Sequence, residues 1–139
     1  MPVSRIVVGL DGSEESVRAL EWAVRQAGLT GSRLQVITVW QWPAMYGTAP
    51  MPEIDYEGDT RRAVVGRVDE VRAHHPDLEI DFDVVAGPAA QALVQASSGA
   101  ELLVVGSRGH GAFAGALIGS VSLHCVHQAH CPVVVIRSH

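Results

Sequence analysis

Between Gly106 and Ser120 the chain places five glycines in fifteen residues, at Gly106, Gly109, Gly111, Gly115 and Gly119. The apolar run Leu102-Leu103-Val104-Val105 leads into this stretch, and a helix-like apolar pattern from Val121 leads out of it. Strand, glycine loop and helix start together can cradle an anion. Glycine lets backbone N–H groups approach a phosphate closely, and the helix start adds unpaired donors and the positive end of a dipole. Charge placement agrees: all fifteen acidic residues lie at or before Glu101, so the loop and everything beyond it carry none.

The kind of phosphate site is narrowed by what is missing. All ten basic residues are arginine, which excludes a lysine-dependent Walker A loop and any lysine Schiff base. Gly109-His110-Gly111-Ala112-Phe113-Ala114 satisfies G-x-G-x-x-A after a strand. That dinucleotide fingerprint needs an acidic residue about 20 positions on to hold ribose hydroxyls, and none exists there. A glycine turn with a purely structural role stays open beside the anion cradle.

The elements that must position this loop can be read in order. Arg5 to Leu10 is short, apolar and β-branched, as in a strand buried on both faces. Asp11 or Ser13 can cap the helix that follows, whose stripe is Val17, Leu20, Val24 and Ala27 and whose end is set by Gly28 and Gly31. Arg33–Trp40 is the second strand, and a helix from about Gly58 to His75 stops at Pro76. Glu79–Val85 alternates acidic and apolar residues, which places it at a sheet edge with Asp81 and Asp83 on a wet face. Pro88 opens a helix ending near Gly99, Glu101–Val105 is a buried strand, Val121–His130 is helical, and Cys131–Arg137 is the last strand. Strands separated by helices imply right-handed parallel crossovers. The fold class is therefore α/β, a single doubly wound five-stranded parallel sheet with helices on both faces, over one domain spanning residues 1–139; strand order 3-2-1-4-5 is expected, though the alternation alone does not fix it. Ligands of such sheets sit off the carboxyl ends of the strands where strand order reverses. The turns after Leu10 and after Val105 meet there if the first and fourth strands are neighbours.

The outer glycines form the pattern Gly106-x2-Gly109-x9-Gly119-Ser120, and Ile6-Val7-Val8-Gly9-Leu10-Asp11-Gly12-Ser13 opens the chain. Together, in this order, they resemble the ATP-binding class of the universal stress protein family over essentially the whole chain. The resemblance implies that Gly106, Ser107, Arg108, Gly109, His110, Gly111 and Ala112 wrap the phosphates. It implies that Gly119, Ser120 and the Val121 amide bind phosphate at the helix start. Gly9 and Asp11 would lie by the nucleoside, Asp11 near the ribose or a magnesium ion, and Val39 against adenine. ATP with Mg2+ is the implied cofactor and a homodimer the implied assembly. Read from its own chemistry, Ser120 can equally be a simple helix cap, as can Asp11, and Arg108 can be merely solvated.

Other features bound the function. Net charge of −5 argues against a nucleic-acid partner, and no continuous apolar run is long enough for a membrane span. Met1-Pro2-Val3-Ser4-Arg5 enters a strand-like run at once, without a secretory leader pattern, and the two cysteines are too few for a disulfide framework. A cytoplasmic location is expected. The apolar strand Val133–Ile136 offers an edge that a second subunit would cover. The segment Gln41–Glu57, with Pro43, Pro50 and Pro52, is longer than an ordinary connection and is expected to be a lid or a protein-partner surface, or else a disordered crossover. His124, Cys125, His127, His130 and Cys131 invite a metal reading, but carboxylates and a third-strand ligand are missing, so imidazoles beside a helix C-terminus are the default. The leading reading is an ATP-binding regulatory protein with slow or no hydrolysis. An ATP-using enzyme, such as a phosphotransferase or nucleotide hydrolase, and a nucleotide-free dimeric interaction module are the alternatives.

Overall fold

The computed structural model describes residues 3–41, 54–108 and 118–137. Ile6, Val7 and Val8 are consecutive and all fully buried, which requires cover on both faces of the strand they share, β1 (Arg5–Gly9). The side-chain period of two sorts the core into halves. Ile6, Val8, Leu34, Val36 and Val104 face one side, and Val7, Ile37, Leu103 and Val105 face the other.

The first half is covered by α1 (Glu14–Thr30) and α2 (Tyr56–His74). Leu20, Ala23, Val24 and Ala27 make the buried stripe of α1, and Ala19, Ala23 and Ala27 recur every fourth residue, so the helix lies close on the sheet. α2 buries only Val64 and Val68. The second half is covered by α3 (Ala89–Ser97), through Leu93, and α4 (Ser120–Gln128), through Cys125. A buried leucine or valine of these stripes stabilises the fold by about 1.5–3 kcal/mol. A helix-surface pair such as Arg18–Glu14, at 2.8 Å, adds only about 0.3–0.5 kcal/mol, so the stripes hold the helices in place.

β2 (Arg33–Trp40), β3 (Ile80–Ala86), β4 (Leu102–Gly106) and β5 (Val133–Ile136) complete a parallel sheet of order β3-β2-β1-β4-β5, as the sequence predicts. Val8 pairs with Val36 on one side and Val104 on the other, so β1 is central. β3 is an edge strand with Asp81 and Asp83 exposed, as expected, and β2 engages both: Arg33 lies 2.8 Å from Asp81 and the Gln35 amide donates to Asp83 at 3.1 Å.

Some boundaries differ from the sequence reading. Gly28 lies inside α1, and Gly31 alone ends it, in the left-handed region at φ 70°. α2 starts at Tyr56, two residues before Gly58, because Asp55 caps it by accepting from the Gly58 N–H at 2.9 Å. Tyr56 and Glu57 thus belong to a helix, while residues 42–53 of the segment read as a lid lie outside the described residues.

Candidate functional site

The connection after β1 leads toward β2 and the connection after β4 leads toward β5, so strand order reverses between β1 and β4. The crevice between them is bordered by two turns whose local chemistry differs.

The first turn is closed by its own side chains. The Leu10 N–H donates to Ile37 O at 2.9 Å, and the buried Thr38 hydroxyl donates to Leu10 O at 2.7 Å, which binds the ends of β1 and β2 together. Asp11 Oδ1 then accepts from the Ser13 N–H at 2.8 Å, across Gly12 at φ 87°. Ser13 caps α1 by accepting from the Ser16 N–H at 3.3 Å, and the Ser16 hydroxyl accepts from the Asp11 N–H at 3.2 Å. Both residues named as possible caps therefore serve the same turn.

The second turn is stitched at its two ends. The Ser107 N–H donates to Ile136 O at 2.7 Å, the Gly119 N–H donates to Ser107 O, and the buried Ser122 hydroxyl donates to Gly106 O. Gly119 is the N-cap residue of α4 and supplies no side-chain cap, while Ser120 is the first helical residue and exposed. Ser120 as helix cap is thus corrected: the cap position falls one residue earlier. α4 has no side-chain cap and no acid in its first turn, so the positive end of its dipole at the crevice is not offset by an acid of its own.

Gly9, Asp11, Val39, Gly106, Arg108 and Val121 all line one cavity in this crevice. They come from β1 and its turn, the end of β2, the end of β4 and the start of α4. Ser107 is buried next to Gly106, and Gly119 and Ser120 border the start of α4. Gly109, His110, Gly111 and Ala112 lie outside the described residues. The cavity also takes Leu10, Ser16, Ile37, Leu93, Val105 and Ser122, which sequence reasoning did not name. Ile37 and Val105 carry a signal for it, since each lies in the carboxyl-terminal half of its strand on the α3 and α4 face.

Two glycines have packing reasons. A Cβ on Gly106 would stand 2.7 Å from Glu15 Cβ and 2.8 Å from the Glu15 carbonyl carbon, so the first turn of α1 rests directly on the start of the loop. A Cβ on Gly9 would press on the Leu93 side chain at 3.2 Å. Arg108, at the rim, lies 3.9 Å from Glu15, beyond hydrogen-bond reach but within ion-pair distance.

The histidine and cysteine cluster does not converge. Cys125 is buried against the sheet, whereas His124, His127 and His130 are exposed. Among the described residues no group of three or more His, Cys, Asp or Glu could hold a metal ion. Burial pushes the Cys125 thiol up to about 11, and burial also raises Cys131, with Arg5 opposing.

Among the described residues no helix is long and apolar enough to cross a membrane. The model of the Universal stress protein family matches residues 2–137. A universal stress protein of Mycobacterium tuberculosis, Rv2624c, is 35% identical over 136 residues, covering 96% of this chain and 48% of the relative. The chain thus spans about half the length of the curated relatives it matches. A universal stress protein solved in complex with cAMP superimposes with a TM-score of 0.72 at 26% identity, covering 98% of each chain. A universal stress protein of Archaeoglobus fulgidus in complex with dAMP gives a TM-score of 0.72 at 20% identity, covering 98% of this chain and 99% of its own. With the family model matching residues 2–137 and a relative 35% identical over 96% of the chain, this chain belongs to the universal stress protein family.

Proposed function

We propose that this chain is an adenine-nucleotide-binding regulatory protein and that ATP is its nucleotide. The observation that carries the reading is the convergence of Gly9, Asp11, Val39, Gly106, Arg108 and Val121 on one cavity at the reversal of strand order. Their chemistry divides as a nucleotide requires. Val39, Ile37 and Leu93 supply apolar wall for a base, Asp11 supplies a carboxylate at the rim for ribose hydroxyls, and α4 supplies backbone donors for phosphate. Gly109, His110, Gly111 and Ala112 would complete the phosphate wrap, with Ser107, Gly119 and Ser120. The cAMP and dAMP complexes of similar proteins support the adenine class.

Asp11 would help to hold the Mg2+ that accompanies the nucleotide, since a lone carboxylate is a usual protein contribution to a magnesium–nucleotide site. That ion would neutralise phosphate charge. The described cavity offers Asp11 as its one carboxylate and no histidine or cysteine that could act as a base or nucleophile, so binding rather than turnover is the proposed role. The protein would act in the cytoplasm in a stress response, as one domain spanning residues 1–139. It would pair with a second copy through β5, which lies at the sheet edge, and residues 41–57 would meet a protein partner.

Calorimetric titration with ATP and Mg2+ tests the nucleotide reading. Val39→Phe should fill the apolar wall and weaken binding by about tenfold or more while thermal melting shows the fold intact. Absence of binding by the parent protein at millimolar ATP would overturn the reading. Gly106→Ala is unsuited as a control, because its added Cβ strikes α1.

A further inference from the structure

A carboxylate just outside the cavity is placed against the single cation among its described lining residues. Among the described residues lining the cavity, Arg108 is the one cation, and Glu15 lies 3.9 Å from it. The Glu15 side chain is 15% exposed and that of Arg108 is 34% exposed. By comparison, the Arg18–Glu14 pair on the same helix is 41% and 73% exposed, so water screens the Glu15–Arg108 pair less. Position is fixed as well as charge: the backbone of Glu15 rests on Gly106, at distances that leave no space for a methyl group. Glu15 cannot swing its Cβ away from the loop without moving α1. Asp11 adds a second carboxylate at the rim.

From this arrangement, and resting on the nucleotide-site reading above, we propose that Glu15 is a charge gate for the cleft. It holds Arg108 in an ion pair and sets its own negative charge beside the phosphate cradle. Each additional phosphate charge on the ligand then meets more repulsion and finds the guanidinium already engaged. Adenine ligands of low phosphate charge bind without help, whereas a polyphosphate enters with its charge neutralised by a divalent cation. Glu15 touches no ligand in this scheme and is a positioning residue acting through Arg108 and through its field.

The test is a charge series. Adenosine, AMP, ADP and ATP are titrated calorimetrically in EDTA at low salt into the parent protein, Glu15→Gln, Arg108→Gln and the double variant. Glu15→Gln should raise ATP affinity roughly fivefold, raise AMP affinity less, and leave adenosine unchanged. The gain should shrink at about 0.5 M salt, as a partly screened charge effect must. On the Arg108→Gln background the gain should fall by at least half, which isolates the pairwise part. Equal gains for adenosine and ATP, or a loss of ATP affinity in Glu15→Gln, would overturn the gate while leaving the nucleotide site standing. Failure of the parent protein to bind any member of the series would overturn both.

Discussion

Two helices begin on the same rim of the sheet and are finished in opposite ways. α1 starts with a serine cap, two glutamates in its first turn and Asp11 folded back on the Ser13 N–H. α4 starts with Gly119, no side-chain cap and no acid. The first end is satisfied from within the chain. The second has no side chain at its cap, and because N–H groups at a helix start find a side chain, water or a ligand, it is the end to which the proposed function assigns the phosphate. The two are joined rather than separate, since the first turn of α1 bears on Gly106 and Glu15 reaches toward Arg108. The closed end thereby sets both the shape and the charge of the open one.

The largest expected effect breaks that joint. Gly106→Ala places a methyl 2.7 to 2.8 Å from Glu15 atoms, two of them in or next to the backbone, so α1 must shift. A loss of about 1–3 kcal/mol in urea unfolding is expected, with ATP affinity reduced as a consequence. Unchanged stability would mean that α1 and the loop are not in register.

A smaller effect separates the two helix ends. Ser13→Ala removes a side-chain cap and should cost about 1 kcal/mol of stability without changing nucleotide affinity at saturating fold. Ser120→Ala removes no cap and should leave the unfolding midpoint unchanged, yet weaken ATP binding by roughly fivefold through one lost phosphate contact. If the two substitutions behave alike, the contrast between a closed and an open end fails.

A further effect, confined to alkaline pH, concerns what docks α4. Cys125 is fully buried, and burial pushes its thiol pKa up to about 11 from 9.0. The unfolded chain therefore ionises at lower pH than the folded one. The thiol's contribution is fully present below pH 9 and is lost as pH rises toward 11. Urea midpoints measured across that window should fall more steeply for the parent protein than for Cys125→Ala, and parallel slopes would show that the α4 contact does not depend on the thiol's protonation.

Much of the fold was legible because its signals are local. β2 was read to its ends, Arg33 and Trp40, from an apolar run between the glycines that end α1 and the proline-containing segment that follows. The acidic–apolar alternation of residues 79–85 foretold an edge strand, since Asp81 and Asp83 cannot face a buried layer unpaired. Where local signals compete, the reading slipped. Gly28 and Gly31 both punctuate a helix in sequence, but only Gly31 takes a positive φ, because the Ala27 carbonyl accepts its N–H there. Ser120 carries cap chemistry, yet the chain leaves Gly119 in the extended cap conformation and carries Ser120 into the helix.

Sequence by itself determined the order of strands and helices, the acid-free glycine loop, the absence of lysine and the two turns that border the reversal of strand order. Those follow from residue type and short-range periodicity. Tertiary structure alone decided that Gly106 abuts Glu15, that Thr38 ties down Leu10, and that Leu93 and Ile37 wall the cavity. Such facts depend on which distant segments become neighbours. That is settled by packing two helical layers onto one sheet, where a methyl group's width between elements far apart in the chain separates contact from clash.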